Sequence, residues 1–316
     1  EFTQEQKLLR NTVRRIVAER IIPKAAEMDE TGEFPWDIVK LFFDAGLMQL
    51  RIPAEYGGHG ESMVTVCLVT EEVARGDLSA ATFIAMAATH IESLRMAGSH
   101  GQKELCFGKI LEGALTCMSI TEPGAGSDAA GIQAKAVLKG DSYLLNGRKL
   151  FASNGCVATL YFIFASTAPA MRGKGISCFM AERGAPGLTV GREERKMGTR
   201  ATSLAELLLE DLALPRENLI GREGQGLRLA LSTLNLARLT AASQGVGLAT
   251  GAMEYALNYA RQREQFGRPI AEFQGMQFMF ADMATRIEAA RWLTYDAARL
   301  MDRGDPDIIK GAAMAK

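Results

Sequence analysis

The spacing of apolar residues changes twice along this chain, and the two changes limit the folds that it can adopt. Residues 1–113 repeat apolar positions every three to four residues, which is the period of a helix buried on one face. Residues 114–218 instead hold short apolar or alternating runs, such as TLYFIFAS and SLAELLLEDLALP, which predict β-strands. The helical period returns in residues 219–316. The sequence therefore predicts an α+β chain with an N-terminal helical domain, a middle β domain and a C-terminal helical domain.

Local signals place the ends and contacts of some helices. Thr3 followed by Gln6 is a capping-box pattern, in which each side chain binds the backbone N–H of the other residue. The small-residue tract AASQGVGLATGA at 241–252 would let another helix approach closely. Two long C-terminal helices and the start of a third near Asp307 do not complete a bundle. We therefore expect the C-terminal domain to continue beyond Lys316.

The charge balance and the hydropathy pattern narrow the functional class. The chain has a formal net charge of −1, and 23% of its residues are charged. This balance argues against a nucleic-acid binder or a membrane-surface binder, because both need a basic excess. No signal peptide and no long apolar span is evident. We expect no membrane span, and a location in the bacterial cytoplasm or the mitochondrial matrix.

Cysteine and histidine usage bears on redox state and metal binding. The five cysteines are odd in number, form no C-x-x-C pair and lie in apolar surroundings, so they predict buried, reduced thiols. With only three histidines, a histidine-based metal site is not expected, and we assign no metal ligand.

One glycine-rich segment matches a nucleotide-binding pattern. Gly124–Ala129, within ITEPGAGSDAAG, fits the dinucleotide pattern G-x-G-x-x-G/A. That pattern needs a helix after it, because the N-terminal N–H groups of the helix hold the pyrophosphate. Here the residues after Gly131 alternate and lead into another strand, and Asp141 lies in a predicted turn. The sequence therefore argues against a nicotinamide dinucleotide site.

The same segment has two further interpretations. A glycine turn between strands exposes backbone N–H groups, and Thr121, Ser127 and Asp128 add short polar side chains. Such a turn suits the edge of a cofactor ring or a phosphate. Alternatively, the segment is an ordinary Pro-Gly loop in which Ser127 and Asp128 cap the local backbone. The turn taken alone favours the second interpretation.

Several motifs occur together, in an order that resembles the acyl-CoA dehydrogenase family. They are IPAEYGG, MSITEPGAGSDAAG (118–131), NGRKLFASNG (146–155), KMGTRATSLAELLLEDLALP (196–215) and YARQREQFGRPIAEFQ (259–274). The similarity extends over the whole chain. It implies a flavoprotein with FAD as cofactor, a β-barrel-like antiparallel middle domain and a C-terminal four-helix bundle, usually in a homotetramer.

The resemblance also implies residue roles. The residues expected to line the flavin are Met118, Ile120, Thr121, Gly126, Ser127, Phe151, Ala152 and Ser153. Arg263, Phe266 and Gln274 would reach the FAD of a neighbouring subunit, where the planar guanidinium of arginine suits a diphosphate. Ser127, Asn235 and Arg238 would contact the CoA part of the substrate.

The implied reaction is α,β-dehydrogenation of an acyl-CoA thioester to the trans-2-enoyl-CoA. A carboxylate takes the α proton and the β hydrogen leaves as hydride to the flavin, while donors hold the thioester oxygen. The electrons pass to electron-transfer flavoprotein. The family carries the base, a glutamate, at one of two positions, and the first of these matches Ala237, which cannot accept a proton. We therefore expect the base beyond Lys316 and assign no catalytic residue within the chain.

Other functions share most of these features. A chain without the base would serve as an FAD-binding subunit of a hetero-oligomer. An acyl-CoA oxidase or a flavin monooxygenase on the same fold would differ in letting oxygen react with the reduced flavin, which the sequence does not reveal.

Overall fold

A computed structural model describes residues 2–316. The chain begins with a run of helices, as the apolar spacing predicts. They are α1 (Gln4–Ile16), α2 (Ile22–Thr31), α3 (Trp36–Asp44), α4 (Met63–Ala74), α5 (Leu78–Ala97) and α6 (His100–Leu111). The predicted capping box is confirmed, because Thr3 Oγ1 accepts from Gln6 N at 3.1 Å and Gln6 Oε1 accepts from Thr3 N at 3.0 Å. A π-helical turn, Val17–Ile21, joins α1 to α2, and the spacing did not predict it.

The middle of the chain forms one sheet of eight strands. They are β1 (Thr116–Ser119), β2 (Lys135–Lys139), β3 (Ser142–Ser153), β4 (Leu160–Ser166), β5 (Ile176–Glu182), β6 (Leu188–Glu193), β7 (Leu204–Pro215) and β8 (Leu219–Ile220). The order is β6-β7-β3-β2-β4-β5-β8, and β1 pairs with β4. Most pairings are antiparallel, whereas β4 lies parallel to both β1 and β2. The predicted middle sheet is confirmed, although its antiparallel character is not complete.

The last part of the chain is helical again. The helix α7 (Gly226–Gln262) is followed by a two-stranded hairpin of β9 (Glu264–Gln265) and β10 (Arg268–Pro269), and then by α8 (Gln274–Asp302) and α9 (Ile308–Ala315). The predicted helix–sheet–helix order of the fold is therefore confirmed.

The chain divides into two compact units. The helical unit contains the residues up to 28 together with 62–85 and 235–316, and the sheet unit contains 29–61 and 86–234. In the helical unit, the carboxylate of Asp302 accepts from Met63 N at 2.6 Å and from Val64 N at 3.1 Å. This side chain therefore satisfies free N–H groups at the start of α4, in the way that a local cap would.

The sheet unit has two apolar cores. In one, Ile91 and Phe107 from the helices pack with Phe162 of β4. In the other, Leu145 of β3 packs with Phe179 of β5 and other strand residues. Burial of such side chains is the main favourable contribution to folding, at about 1.5–3 kcal/mol for each large one. The two cores fix β1 and β3, from which the candidate site is built.

Two further predictions concern membrane insertion and thiols. Within residues 2–316, no helix has the length and apolar character that crossing a membrane requires. All five cysteines are free thiols; four are buried and Cys156 is half-buried. The prediction of buried thiols therefore holds for four of the five. Burial raises the pKa of the Cys106 thiol to about 12, which keeps it protonated.

Candidate functional site

The structure brings the two motif segments of the middle domain side by side. Residues 118–127 run from the end of β1 into the glycine turn, and residues 151–153 end β3. The backbone N–H of Leu150 donates to the carbonyl oxygen of Thr121 at 2.9 Å. Met118 and Ile120 are half-buried and pack against an apolar core, and Ala152 is fully buried. These three residues therefore support the segments from within, while Thr121, Phe151 and Ser153 beside them are partly or largely exposed.

The glycine segment is a tight turn and does not start a helix. Glu122 and Ala125 exchange backbone hydrogen bonds of 3.0 and 3.1 Å across Pro123 and Gly124. One short 3₁₀ turn, Ala129–Gly131, follows, and the chain then enters β2. A dinucleotide pyrophosphate would have no helix N-terminus here, in agreement with the rejection of that pattern.

The space in front of this turn is open. A Cβ atom added at Gly124 or Gly126 would meet no atom within 4 Å. No contact inside the described chain therefore requires glycine at these positions. An open surface beside exposed backbone is what a bound planar group needs for close approach.

A bulge turns Phe151 towards solvent. The pairing of β3 with β7 shifts between Lys149 and Ala152, and Phe151 takes a left-handed backbone with φ 55°. A bulky residue in this region is strained by about 1–2 kcal/mol. Its ring is 54% exposed. Exposure of a large apolar ring at a strained position is typical of a binding site.

Three hydroxyl groups on these two segments have no hydrogen-bond partner within residues 2–316. The side chains of Thr121, Ser127 and Ser153 make no hydrogen bond to any other residue within 2–316. Thr121 and Ser153 are half-buried, and Ser127 is exposed. Unpaired donors beside an aromatic ring and an open glycine turn match a flat ring with polar edges. This donor set fits an isoalloxazine.

Two buried pairs of polar side chains lie behind the segments, and the sequence analysis did not predict them. Lys149 Nζ lies 2.7 Å from Glu122 Oε1, and the two residues are 0% and 7% exposed. Burial lowers the pKa of Lys149, and the Glu122 carboxylate opposes that shift. At the start of β1, the His90 ring nitrogen Nδ1 lies 2.7 Å from Thr116 Oγ1. The Glu122–Lys149 pair had one signal in the sequence, which is that Lys149 occupies a core-facing position of an alternating strand.

A second group of predicted residues lies on the hairpin between α7 and α8. Phe266 and Gly267, with φ 54° and 74°, form its turn, and such paired left-handed residues match the twist of a two-residue hairpin. The ring of Phe266 is 93% exposed. Arg263 and Gln274 are exposed as well, and within residues 2–316 their side chains have no hydrogen-bond or ion-pair partner. All three are thus available to a group outside the helical unit.

The remaining predicted residues lie on α7. Arg238 Nη1 donates to Asn235 Oδ1 at 2.6 Å, and both residues are half-buried. Ala237 lies between them and has no side-chain group that could accept a proton. The pair therefore offers polar contacts, and no base accompanies it at this position of the helix.

Three family models match the chain in sequence order. The acyl-CoA dehydrogenase N-terminal, middle and C-terminal domain models match residues 3–114, 117–212 and 224–316. Cyclohex-1-ene-1-carbonyl-CoA dehydrogenase of Syntrophus aciditrophicus is 44% identical, over 96% of this chain and 74% of that protein.

Solved structures agree with the sequence matches. Butyryl-CoA dehydrogenase of Megasphaera elsdenii superposes with a TM-score of 0.96 at 34% identity, over 100% of this chain and 84% of that chain. A chain from a structure of the electron transferring flavoprotein of Acidaminococcus fermentans gives a TM-score of 0.97 at 38% identity, over 100% of this chain and 83% of that chain. The chain therefore belongs to the acyl-CoA dehydrogenase family of FAD-dependent oxidoreductases, whose members are typically homotetramers.

Proposed function

We propose that the protein dehydrogenates an acyl-CoA thioester to the trans-2-enoyl-CoA and passes the electrons to electron-transfer flavoprotein. The observation that carries the proposal is the set of unpaired hydroxyls of Thr121, Ser127 and Ser153 and the exposed ring of Phe151, on two segments joined by the Leu150–Thr121 backbone hydrogen bond. These groups are unused within the described chain, and they occupy the flavin motifs of the family. FAD, when bound, supplies the acceptor for the hydride that leaves the β carbon.

The residues of the middle domain would bind and orient the ring. Thr121 and Ser153 would donate hydrogen bonds to its polar edge, and the aromatic ring of Phe151 would pack against it. The backbone at Gly126 approaches closely because no side chain intervenes. Ser127 lies at the exposed end of the turn, where it would meet the CoA portion of the substrate.

The hairpin residues would hold the other end of the cofactor, in a neighbouring subunit. The guanidinium of Arg263 offers two parallel charge-assisted hydrogen bonds to a diphosphate. Phe266 and Gln274 would pack and hydrogen bond beside it. Their exposure in the helical unit supports this arrangement, since the side chains of Arg263 and Gln274 have no partner inside the described chain and the ring of Phe266 contacts only Phe273 at its edge.

The α proton requires a base, which we place on a glutamate that follows Lys316. Ala237 stands at the alternative family position and cannot take the proton. An intact mass of the natural protein well above 34.2 kDa is the expected result. A natural protein of that mass would instead favour a baseless FAD-binding subunit, which binds FAD but leaves it oxidised in the presence of acyl-CoA.

The acyl group is the open part of the substrate. Two of the similar proteins are named for cyclohex-1-ene-1-carbonyl-CoA, whose acyl group contains a six-membered ring, and for butyryl-CoA, whose acyl group is a four-carbon chain. We propose a short-chain or cyclic acyl-CoA for this protein also. The resemblance to the chain from the A. fermentans structure supports electron-transfer flavoprotein as the partner. We propose the bacterial cytoplasm or the mitochondrial matrix as its location, since the similar proteins include bacterial ones and a mitochondrial one.

The deciding experiment follows the visible flavin absorbance of the purified natural protein. Addition of butyryl-CoA, or of cyclohexane-1-carbonyl-CoA as a cyclic acyl-CoA saturated at its α and β carbons, without oxygen is expected to bleach it and to yield the 2-enoyl product. Electron-transfer flavoprotein should then restore the colour faster than oxygen does. Fast recovery with oxygen alone would indicate an oxidase or a monooxygenase, and a protein that takes up no FAD would refute the proposal.

A further inference from the structure

Two opposite charges are buried directly behind the segment that carries Thr121. The side chain of Lys149 is fully buried and that of Glu122 is 6% exposed, and Lys149 Nζ lies 2.7 Å from Glu122 Oε1. The charges lie on different segments: Glu122 follows β1, and Lys149 belongs to β3. The pair therefore links the two segments of the proposed flavin site from the side away from solvent.

Both charges have further hydrogen-bond partners. Glu122 Oε2 accepts from Gln133 N at 2.6 Å, and Oε1 accepts from Ala134 N at 3.0 Å. Lys149 Nζ also donates to the carbonyl oxygen of Ile120 at 3.1 Å. Such complete pairing is what makes burial of two charges tolerable, because an isolated buried ion is costly.

Stability alone does not explain this arrangement. Apolar side chains of similar volume generally stabilise a core as well as a buried ion pair does, or better. An ion pair differs in being directional, because its hydrogen bonds fix the groups that it joins. The question is therefore what these particular bonds hold in place.

The bonds enclose Thr121. Lys149 holds the carbonyl of Ile120 and the side chain of Glu122, on either side of Thr121. The next residue along β3, Leu150, donates its N–H to the carbonyl of Thr121 itself at 2.9 Å. Three consecutive residues of one segment are thus tied to two consecutive residues of the other. Phe151 comes next in β3, so these bonds set the position of its backbone relative to the backbone of Thr121.

We propose that Glu122 and Lys149 are positioning residues, which hold Thr121 and Phe151 at the separation that lets both contact one flavin ring. This inference rests on the proposed flavin site and adds to it the residues that give the site its geometry. Neither charge touches the cofactor; both act through the backbone of 120–122 and 149–151. Removal of either charge should therefore alter the bound flavin, beyond any effect on folding.

The test compares Lys149→Met with two controls in the same strand. Leu145→Ala deletes a fully buried side chain on the same strand and lowers stability without touching residues 120–122. Arg148→Met removes the neighbouring cation, which pairs with Glu206 and is 57% exposed. The melting temperature of each variant is recorded first. The FAD dissociation constant, the flavin spectrum and the flavin midpoint potential are then measured at a low temperature at which each variant is folded.

A positioning role predicts a result that instability cannot produce. Lys149→Met should raise the FAD dissociation constant by about tenfold or more and shift the spectrum and potential of the flavin that remains bound. Leu145→Ala, with a comparable loss of melting temperature, should keep the wild-type spectrum and potential, and so should Arg148→Met. The double variant Glu122→Gln/Lys149→Met should recover part of the melting temperature and none of the flavin properties.

Two outcomes separate the possible failures. Wild-type affinity, spectrum and potential in Lys149→Met, with a wild-type protein that binds FAD, would overturn this inference alone. A wild-type protein that takes up no FAD would overturn the proposed function, and this inference with it.

Discussion

His90 shows how one buried side chain supports the candidate site from behind. Its ring is 4% exposed and bonds to Thr116 Oγ1, while the backbone carbonyl of Thr116 accepts from Asn154 Nδ2 at 3.1 Å. Asn154 has a left-handed backbone with φ 63° and follows Ser153 directly. Burial lowers the pKa of His90 to about 4, against a small opposing contribution from the Thr116 hydrogen bond. His90 is therefore neutral at physiological pH and joins β1 to the end of β3 through Thr116.

This shifted titration predicts a loss of stability in mild acid. In the unfolded chain His90 takes up a proton near pH 6.5, whereas in the folded protein it stays neutral until about pH 4. The unfolded state therefore binds more protons between these values, and the free energy of unfolding falls as the pH decreases through this window. At a pH of about 5, His90 should account for a loss of about 2 kcal/mol relative to neutral pH.

Urea unfolding at neutral pH and in mild acid measures this loss. His90→Gln keeps a polar group beside Thr116 and should make the free energy of unfolding less dependent on pH by about 2 kcal/mol. His100→Gln is the matched control, because it makes the same change at a ring that is 75% exposed. An unchanged pH dependence in His90→Gln would show that other groups cause the acid sensitivity.

The contact between helices α4 and α7 is one that the sequence predicts. The small-residue tract at 241–252 predicts a close helix approach, and in the helical unit that approach occurs. A Cβ atom at Gly247 would lie 2.2 Å from the carbonyl oxygen of Glu71, and one at Gly251 would lie 2.2 Å from that of Arg75. Glycine at these positions is thus required by the packing of two backbones and not by a turn.

Alanine substitutions at Gly245 and Gly247 of α7 should therefore change the free energy of unfolding in opposite directions. Gly247→Ala forces the two helices apart and should lower the free energy of unfolding by about 1–3 kcal/mol. Gly245→Ala meets no atom within 4 Å and should raise it by up to about 1 kcal/mol, since alanine favours the helix. Thermal and urea unfolding of both variants check the difference. Equal destabilisation by the two changes would contradict the close approach.

The order of elements was predictable because each type has its own apolar period. The exceptions are short or irregular: β6, LTVGRE, has little apolar alternation and becomes a strand by pairing with β7. The candidate site was harder to predict from the sequence. Its motif residues were assigned only through resemblance, and the Glu122–Lys149 pair joins positions 27 residues apart. That contact depends on which residue of β3 lies beside the end of β1, and local sequence does not specify this register.

The exposed apolar side chains of α8 bear on how whole molecules associate. Phe278, Met279 and Trp292 on α8 are 62%, 53% and 66% exposed. Large exposed apolar groups generally mark surfaces that another chain covers. Family members are typically homotetramers, and the proposed role of Arg263 towards the FAD of a neighbour requires at least a pair of subunits. Association and cofactor binding should therefore be coupled.

A mixing experiment tests whether Arg263 serves a neighbouring subunit. Arg263→Glu should abolish FAD retention, because a carboxylate would face the diphosphate. Gly126→Trp should abolish it too, because an indole would occupy the open space in front of the turn, where an added Cβ atom meets no atom within 4 Å. In a mixed pair, however, the Arg263→Glu subunit has an intact turn, and its Gly126→Trp neighbour contributes an intact arginine.

Co-expression of the two variants should therefore restore binding that neither variant shows alone. If subunits pair at random, half of the pairs are mixed and each has one intact site in two, so about one quarter of all sites should retain FAD. The flavin absorbance per subunit of the co-purified oligomer gives this fraction directly. If Arg263 acted within its own subunit, every site in a mixed pair would carry one defect, and the co-expressed protein would be colourless. The recovered colour thus reports which subunit supplies the arginine, independently of any catalytic assay.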